Sequence, residues 1–458
     1  MTRCLARFCV LTAIALSLGF SAQAAYADGE IIKEIVVEDN SKTTDETVLL
    51  IANVEVGDTW TPALGERIKQ DLISSGLFKK VSFFWDPLPT GGIKLYIAAK
   101  DKFSWVAAPT FYWQPTNKGG GVGFGENNLF GENKKLLMYG QIATGDTFFI
   151  GAYVDPSIAG SAFRWQTDVY LRSGRIFEYA SPKKFLDDPK AVRESRLQYL
   201  NAGVKVGVEL WRALGMDVRL RGARVSYKNV GLADGATIED VTGDATDTEV
   251  PAPGREGYDV SSEFSLTLDK RADYFGIASG YRVGFNYEQS VDQLGSDFKY
   301  WYGTFTAERY LRFGKQQKQN LVIKTKGMYG HDIPFQQEFQ SGGTTMRGYK
   351  NSQFRGDFRV ASNLEYSVPM FTIAGVSFRG LGFWDSAYTA FLNDEHNTDT
   401  RHYLPGAGIT GLAPWKNSVG AGIRLYMKQI VIPLLGVDVG WGLERGGYEI
   451  YMAIGLTD

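Results

Sequence analysis

The chain has 458 residues, 49 lysines and arginines against 51 acids, and 14% aromatic residues, a balance that offers no global field to attract nucleic acid. Its two cysteines, Cys4 and Cys9, lie in the first few residues, so the rest of the chain can form neither disulfides nor thiolate metal sites. No stretch approaches the ~18–20 apolar residues of a membrane-spanning helix; the longest candidate, Ile430 to Val437, contains Pro433 and stops at Asp438.

In chain order, Arg3 and Arg7 precede an apolar run from Val10 to Phe20. Ala22-Gln23-Ala24 and Ala25-Tyr26-Ala27 then fit a signal peptidase, so residues 1–27 read as a leader cut after Ala24 or Ala27. Its removal leaves 47 bases against 51 acids, a net charge of −4. Residues 30–101 read as a β-α-α-β-β module. Ile32, Ile35 and Val37 mark a strand, and Thr43-x-x-Glu46 is a capping box before Val48, Leu49, Ile51 and Ala52. Thr61-Pro62 opens a second helix with Leu64, Ile68 and Leu72 on one face and Gly76 as its stop. Val81 to Trp85 and Ile93 to Ile97 are strands joined by the turn Pro89-Thr90-Gly91-Gly92.

From Phe103 the hydrophobic period becomes two. Leu200, Ala202, Val204, Val206, Val208 and Leu210 alternate with Asn201, Gly203, Lys205, Gly207 and Glu209. One face repeatedly mixes charges of both signs, as a lumen would, and the other suits lipid. Closure is required, because an open sheet edge in lipid leaves backbone groups unpaired. Residues 102–458, shared among about 16 strands, allow roughly 22 residues each, enough for a ~10-residue strand and its connection. Long connections (Ser173–Ser195, Asn229–Tyr258, His331–Gln353, Ala390–Pro414) alternate with short ones (Phe130–Asn133, Trp211–Gly215, Asp269–Tyr274, Pro369–Gly375). The fold class expected is therefore mainly β: a transmembrane antiparallel β-barrel of about 16 strands behind one small α/β domain. The acidic segment from Asp234 to Glu249 reads as a solvated outward loop.

Catalytic chemistry finds no support. His331, His396 and His402 fall in outward loops, no Gly-x-Ser-x-Gly elbow is present, and no His/Glu cluster has metal spacing. The expectation is no enzyme, no metal and no cofactor. Strand parity instead nominates a charged lock. After Met346-Arg347-Gly348-Tyr349, residues Arg359, Ala361, Asn363, Glu365 and Ser367 share one face, so Glu365 points into the lumen. Ser377, Arg379 and Asp385 share a face that also carries Leu381 and Phe383. An arginine folded into the lumen needs a carboxylate partner, because an unpaired buried charge costs several kcal/mol. Glu365 and Asp385 offer it a bidentate match.

Five ordered motifs carry a resemblance over essentially the whole exported chain. They are Gly125-Glu126-Asn127-Asn128-Leu129-Phe130-Gly131, Met346-Arg347-Gly348-Tyr349, Asn363-Leu364-Glu365-Tyr366-Ser367-Val368-Pro369, Gly382-Phe383-Trp384-Asp385 and Gly420-Ala421-Gly422-Ile423-Arg424. With Ser75-Gly76-Leu77-Phe78-Lys79-Lys80-Val81, the layout resembles the BamA/TamA and two-partner secretion family, in which POTRA modules precede a sixteen-stranded barrel. The resemblance implies a bacterial outer-membrane location with the POTRA domain in the periplasm. It implies that Arg347, Gly348 and Tyr349 of the sixth outward loop meet Glu365 and Asp385. It also implies a weak seam between first and last strands that opens sideways to a client strand. Pro109 in the first strand, about Phe103 to Trp113, cannot donate a ladder bond, and Gly455 near the chain end suits a kink. The function expected is assembly, insertion or translocation of outer-membrane proteins. The alternatives are a two-partner secretion channel, or a passive pore or structural barrel. Expected partners are client outer-membrane or secreted polypeptides, outer-membrane lipid and periplasmic accessory proteins or chaperones, with no nucleic acid. The family carries more POTRA modules than the one found here, and its members finish on an aromatic residue where this chain has Thr457-Asp458.

Overall fold

The computed structural model describes residues 29–114, 116–180, 190–211, 213–274, 277–315, 318–373, 376–392, 404, 415–427, 430–444 and 447–454. The leader, His396, His402 and Gly455 lie outside them. The chain divides into two compact units, one of residues up to Trp105 with Glu126–Lys134, the other of Val106–Gly125 and Lys135 onward.

The first unit contains β1 (Glu30–Glu38), α1 (Asp45–Ala52), β2 (Thr59–Trp60), α2 (Pro62–Ser74), β3 (Phe78–Pro87) and β4 (Ile93–Asp101). Its sheet has the order β2-β1-β4-β3, with β1 parallel to β4. Ile32, Val48, Ile68, Leu72, Leu95 and Ile97 are wholly buried between sheet and helices. Thr61 caps α2 by accepting the Leu64 N–H at 3.1 Å, with Pro62 in the first turn as expected. The first helix departs from expectation: its cap is Thr44, which accepts the Thr47 N–H at 3.2 Å. Thr43 is drawn away by tertiary partners, donating to Asp101 Oδ1 at 2.5 Å and accepting from Asn128 Nδ2 at 2.8 Å. Asp101 also accepts the backbone N–H groups of Ser41 and Lys42, both at 2.6 Å. The turn at Gly131 belongs to this unit too. Its carbonyl accepts the Thr44 N–H at 3.0 Å, and its φ of +76° suits glycine.

The second unit is a closed antiparallel barrel of sixteen strands. They are β5 (Trp105–Gln114), β6 (Asn117–Leu129), β7 (Lys134–Ala143), β8 (Asp146–Asp155), β9 (Phe163–Tyr179), β10 (Ala191–Trp211), β11 (Leu214–Leu232), β12 (Gly257–Asp269, resumed at Ala272–Tyr274), β13 (Ile277–Ser290), β14 (Trp301–Phe313), β15 (Gln319–His331), β16 (Phe358–Ile373), β17 (Val376–Ala390), β18 (Lys416–Met427), β19 (Ile430–Gly442) and β20 (Gly447–Ile454). No helix among the described residues is long and apolar enough to cross a membrane. The alternation read from sequence is realised: Leu200, Val204, Val206 and Leu210 are each about half exposed on the outer face, while Asn201 is buried inside. Lumen charges pair across strands, as in Arg164 Nε and Nη2 with Asp217, both at 3.0 Å, and Arg219 with Asp168 at 2.5 Å.

Two boundaries shift. The first strand opens at Trp105, two residues after the expected Phe103, and His331 closes β15 where a loop was expected to begin. Strands β9 to β11 run 17, 21 and 19 residues, well past the ~9–11 that cross a bilayer, so the connections at 173–195 and 229–258 are shorter than expected. Beyond the membrane they continue because each remains laddered to its neighbour. Arg193 and Glu178, both almost without solvent exposure, pair there at 2.6 Å.

The Asp101 clamp yields a test. Burial opposes its charge, but the hydroxyl of Thr43 and the amides of Lys42 and Ser41 hold its carboxyl below the ordinary 3.8. The folded-state value is depressed, so this stabilisation is complete above pH ~4 and is lost as pH falls through the folded value. In the full chain, Asp101→Asn is expected to raise hydrogen exchange at Ser41 and Lys42 roughly tenfold at pH 7, with the difference from the parent shrinking in acid.

Candidate functional site: a loop locked inside the barrel

The connection between β15 and β16 folds on itself before it reaches the wall. Phe339–Ser341 pairs with Phe354–Gly356 as a short ribbon, and Gly343 N–H closes onto the Tyr349 carbonyl at 3.0 Å. Gly342 has φ +124°, and a Cβ there would lie 2.0 Å from the Lys350 carbonyl oxygen. Met346 and Tyr349 are buried against Ala361 and Ala387, which fixes the face that Arg347 presents.

Arg347 meets three carboxylates. Its Nε and Nη2 bind the two oxygens of Asp385, each at 2.9 Å, and its backbone N–H adds a third bond to Asp385 at 3.1 Å. Nη1 reaches Glu365 at 3.3 Å and Asp438 at 3.2 Å. Asp438 is itself held by Arg424 at 2.6 and 2.8 Å. The guanidinium lies over the Phe383 ring, 3.4 Å from its centroid. The apolar residues on the inward face of β17 thus have a use: Phe383 is the platform on which the cation rests.

Gly348 and Tyr349 extend the lock toward the last strands. Gly348 N–H donates to the Tyr451 hydroxyl at 3.0 Å, and that hydroxyl donates to the Tyr349 carbonyl at 2.8 Å. The Tyr349 hydroxyl donates to the Asn417 carbonyl at 3.0 Å and is bonded to Glu444. With φ +94°, Gly348 sits so close to β19 that a Cβ would fall 2.5 Å from Gly442 N. Gly440 and Gly442 answer it: a Cβ on Gly440 would meet Gly348 N at 2.6 Å, and one on Gly442 would meet its carbonyl oxygen at 2.8 Å.

The root of the loop has a separate anchorage. Arg355 pairs with Glu338 through Nε at 2.7 Å, donates from Nη2 to the Phe335 carbonyl at 2.8 Å, and its guanidinium lies 4.0 Å from the centroid of the Phe335 ring. Phe335 is fully buried against Tyr227. The side-chain amides of Gln336 and Gln337 donate to Asp259 at 3.3 and 3.1 Å. Asp259 is buried with Arg221, Glu288 and Tyr300 on the wall formed by β11 to β14. The loop is therefore held at two stretches of wall.

The geometry brings Arg347, Glu365 and Asp385 into one cluster, with Asp385 the dominant partner and Glu365 a peripheral one. Pro109 is exposed in the middle of β5. Sequence reasoning did not reach Asp438, Arg424, Glu444, Tyr451 or the Gly440/Gly442 pair. The signal was present: Val439 and Trp441 face outward, which turns Asp438, Gly440 and Gly442 inward, and outward Tyr448 and Ile450 turn Tyr451 inward.

A family model describing the Omp85 superfamily domain matches residues 128–443, and the chain belongs to the Omp85 superfamily, whose barrels are outer-membrane proteins that handle client polypeptides. Among solved structures it is similar to BamA from Haemophilus ducreyi lacking POTRA domains 1-3, at 14% identity and TM-score 0.64 over 93% of this chain and 85% of that one. It is similar to CdiB from Acinetobacter baumannii at 13% identity and TM-score 0.62, over 93% and 74% of the two chains. CdiB from Escherichia coli follows at 10% identity and TM-score 0.54, over 95% and 92%. At these identities the likeness speaks for the fold. Among curated proteins, none matches this chain in sequence.

Breaking a buried ion pair on one side costs about 3–5 kcal/mol. Arg347→Ala and Asp385→Asn are each expected to lower the urea unfolding midpoint of the detergent-folded barrel accordingly, followed by heat-modifiable gel mobility. Arg347→Lys should rescue little, since an ammonium cannot span both Asp385 oxygens. Gly348→Ala is expected to destabilise comparably, whereas Gly327→Ala, whose Cβ meets nothing within 4 Å, should change stability by less than ~0.5 kcal/mol. An unchanged midpoint in Gly348→Ala would refute the close approach as a constraint.

Proposed function

We propose that this protein assembles or moves client polypeptides in the bacterial outer membrane, acting through a seam between β5 and β20. On this reading residues 1–27 are a removed leader, and residues 30–101 are a POTRA-type module facing the periplasm. The barrel spans 102–458, with the connection holding Arg347 on the outward side.

The observation that carries the reading is that the loop lock is bonded to β20, the strand through which the barrel closes on β5. The barrel closes where β20 meets β5, at Met452↔Trp113, Ala453↔Tyr112 and Ile454↔Phe111 among the described residues. The part of β5 before Phe111 carries Pro109, which has no N–H to offer a ladder. A strand edge with unpaired donors and acceptors templates addition of another strand, so a client hairpin can build onto it. The lock bears on the same region, because Tyr451 of β20 holds Gly348 and Tyr349. The loop crosses between two stretches of wall, which favours lateral insertion over threading through the lumen. Export of one dedicated polypeptide is the second reading, supported by the likeness to CdiB, and it requires the loop to leave both anchorages. Accessory periplasmic proteins or chaperones would deliver clients in either case.

The chain has no cysteine after Cys9, so Tyr112→Cys with Ala453→Cys introduces the only pair expected in the exported protein. Oxidation should abolish insertion of barrel clients into reconstituted membranes, and reduction should restore it. Full activity with the seam crosslinked would sink the proposal, as would unchanged outer-membrane barrel levels on depletion of the protein.

A further inference from the structure

The outer face of β8 to β11 is ordered in rows by strand register. Phe149, Leu171, Leu200 and Arg224 lie side by side on adjacent strands. Thr147, Ser173, Gln198 and Ser226 form the next row toward the long-loop end. Beyond them Arg175, Arg196 and Lys228 stand abreast. An apolar edge thus gives way to hydroxyls and an amide, then to three cations.

The height of this transition follows from strand geometry. The apolar outer face of β10 runs from Leu200 to Leu210, and at ~3.3 Å per residue and a tilt of ~40° it rises about 25 Å, the height of a barrel's lipid-facing band. Arg224 stands level with the upper edge of that band. Arg196 and Lys228 are four residues further along, about 10 Å higher, at the level of lipid headgroups.

Among the described residues, nearby carboxylates pair with Arg175 but not with Arg196, Arg224 or Lys228. Glu194 is committed to Arg175 at 2.6 and 2.8 Å, and Glu256 accepts the Tyr227 N–H at 2.7 Å. Arg196 uses one nitrogen on Ser173, at 3.3 Å to its carbonyl and its hydroxyl. Among the described residues no carboxylate lies within ion-pair distance of Arg196, Arg224 or Lys228. An open cleft of about 890 Å³ borders part of the strip, its lining including Phe149, Leu171, Leu200, Arg224, Lys228 and Glu256.

We infer that this strip binds a phosphate-bearing lipid of the outer leaflet, its headgroup phosphate on Arg196, Arg224 and Lys228 and its acyl chains on Phe149, Leu171 and Leu200. The inference rests on the orientation given under the proposed function, and charge complementarity selects the occupant. A basic residue at a membrane surface contributes about fivefold to binding of anionic lipid. Arginine adds a planar fork that matches phosphate oxygens.

The test uses the full exported chain in phosphatidylcholine nanodiscs doped with a bisphosphorylated glycolipid (lipid A), with retained glycolipid counted by native mass spectrometry. The parent is expected to keep glycolipid, and the triple variant Arg196→Ala, Arg224→Ala, Lys228→Ala to keep roughly tenfold less or lower still. Lys228→Glu alone, at an exposed position, should fall in the same direction and covers the case in which the triple variant does not fold. The dephosphorylated glycolipid should be lost by the parent, and matched inorganic phosphate should not displace the intact lipid. Equal retention by parent and Lys228→Glu, full retention of the dephosphorylated lipid, or displacement by free phosphate would each overturn the inference. None of these readouts involves client insertion, so the strip and the seam can fail separately.

Discussion

A guanidinium carried into the barrel by a loop dominates the energetics of this molecule. Arg347 is nearly removed from water, and a lone charge there would be untenable, so the wall must supply acids at defined places. Asp385 supplies both its oxygens, while Glu365 and Asp438 share the remaining nitrogen. Because β16, β17 and β19 each contribute one acid, the pairing works only if all three strands keep their register. Slippage by one residue would turn each carboxylate toward lipid. The cation thereby checks the register of the wall from β16 to β19.

Glycines make that geometry attainable. Gly348 approaches β19 so closely that its neighbours Gly440 and Gly442 must also lack side chains. This contact brings the loop near enough for Tyr451 to bond the backbone on both sides of the turn. Charge and packing are therefore coupled: moving the loop outward loses the hydrogen bonds to β20 together with the ion pairs. The root, fastened through Phe335, Gln336 and Gln337 to another stretch of wall, leaves the loop little freedom to swing.

Outside, the same period of two serves a different solvent. Leu200, Val204, Val206 and Leu210 have no protein to cover them and need hydrocarbon. Where they end, Gln198, Arg196, Arg224 and Lys228 begin, at the edge of a lipid-facing band of ~25 Å. The alternation that turns Glu365 inward on one strand thus also raises a row of cations on another.

Much of this was legible in the residues. Alternation implied a barrel, and parity turned Glu365 and Asp385 toward the loop that bears Arg347. Parity reports which solvent a side chain faces, however, and not what stands across the lumen. Asp438, Tyr451 and Glu444 lie about a hundred residues from Arg347 and Tyr349, and only the folded loop brings them together. Phe383 looked like a defect in an inward face until the guanidinium rested on it. Thr43 matched a capping pattern, yet Asp101 took its hydroxyl and left Thr44 to cap the helix. Local chemistry along the chain determined the strands, the faces and the charges to be paired; three-dimensional closure decided the partners, because a buried ion accepts whichever ligands the surrounding backbone can hold at bonding distance.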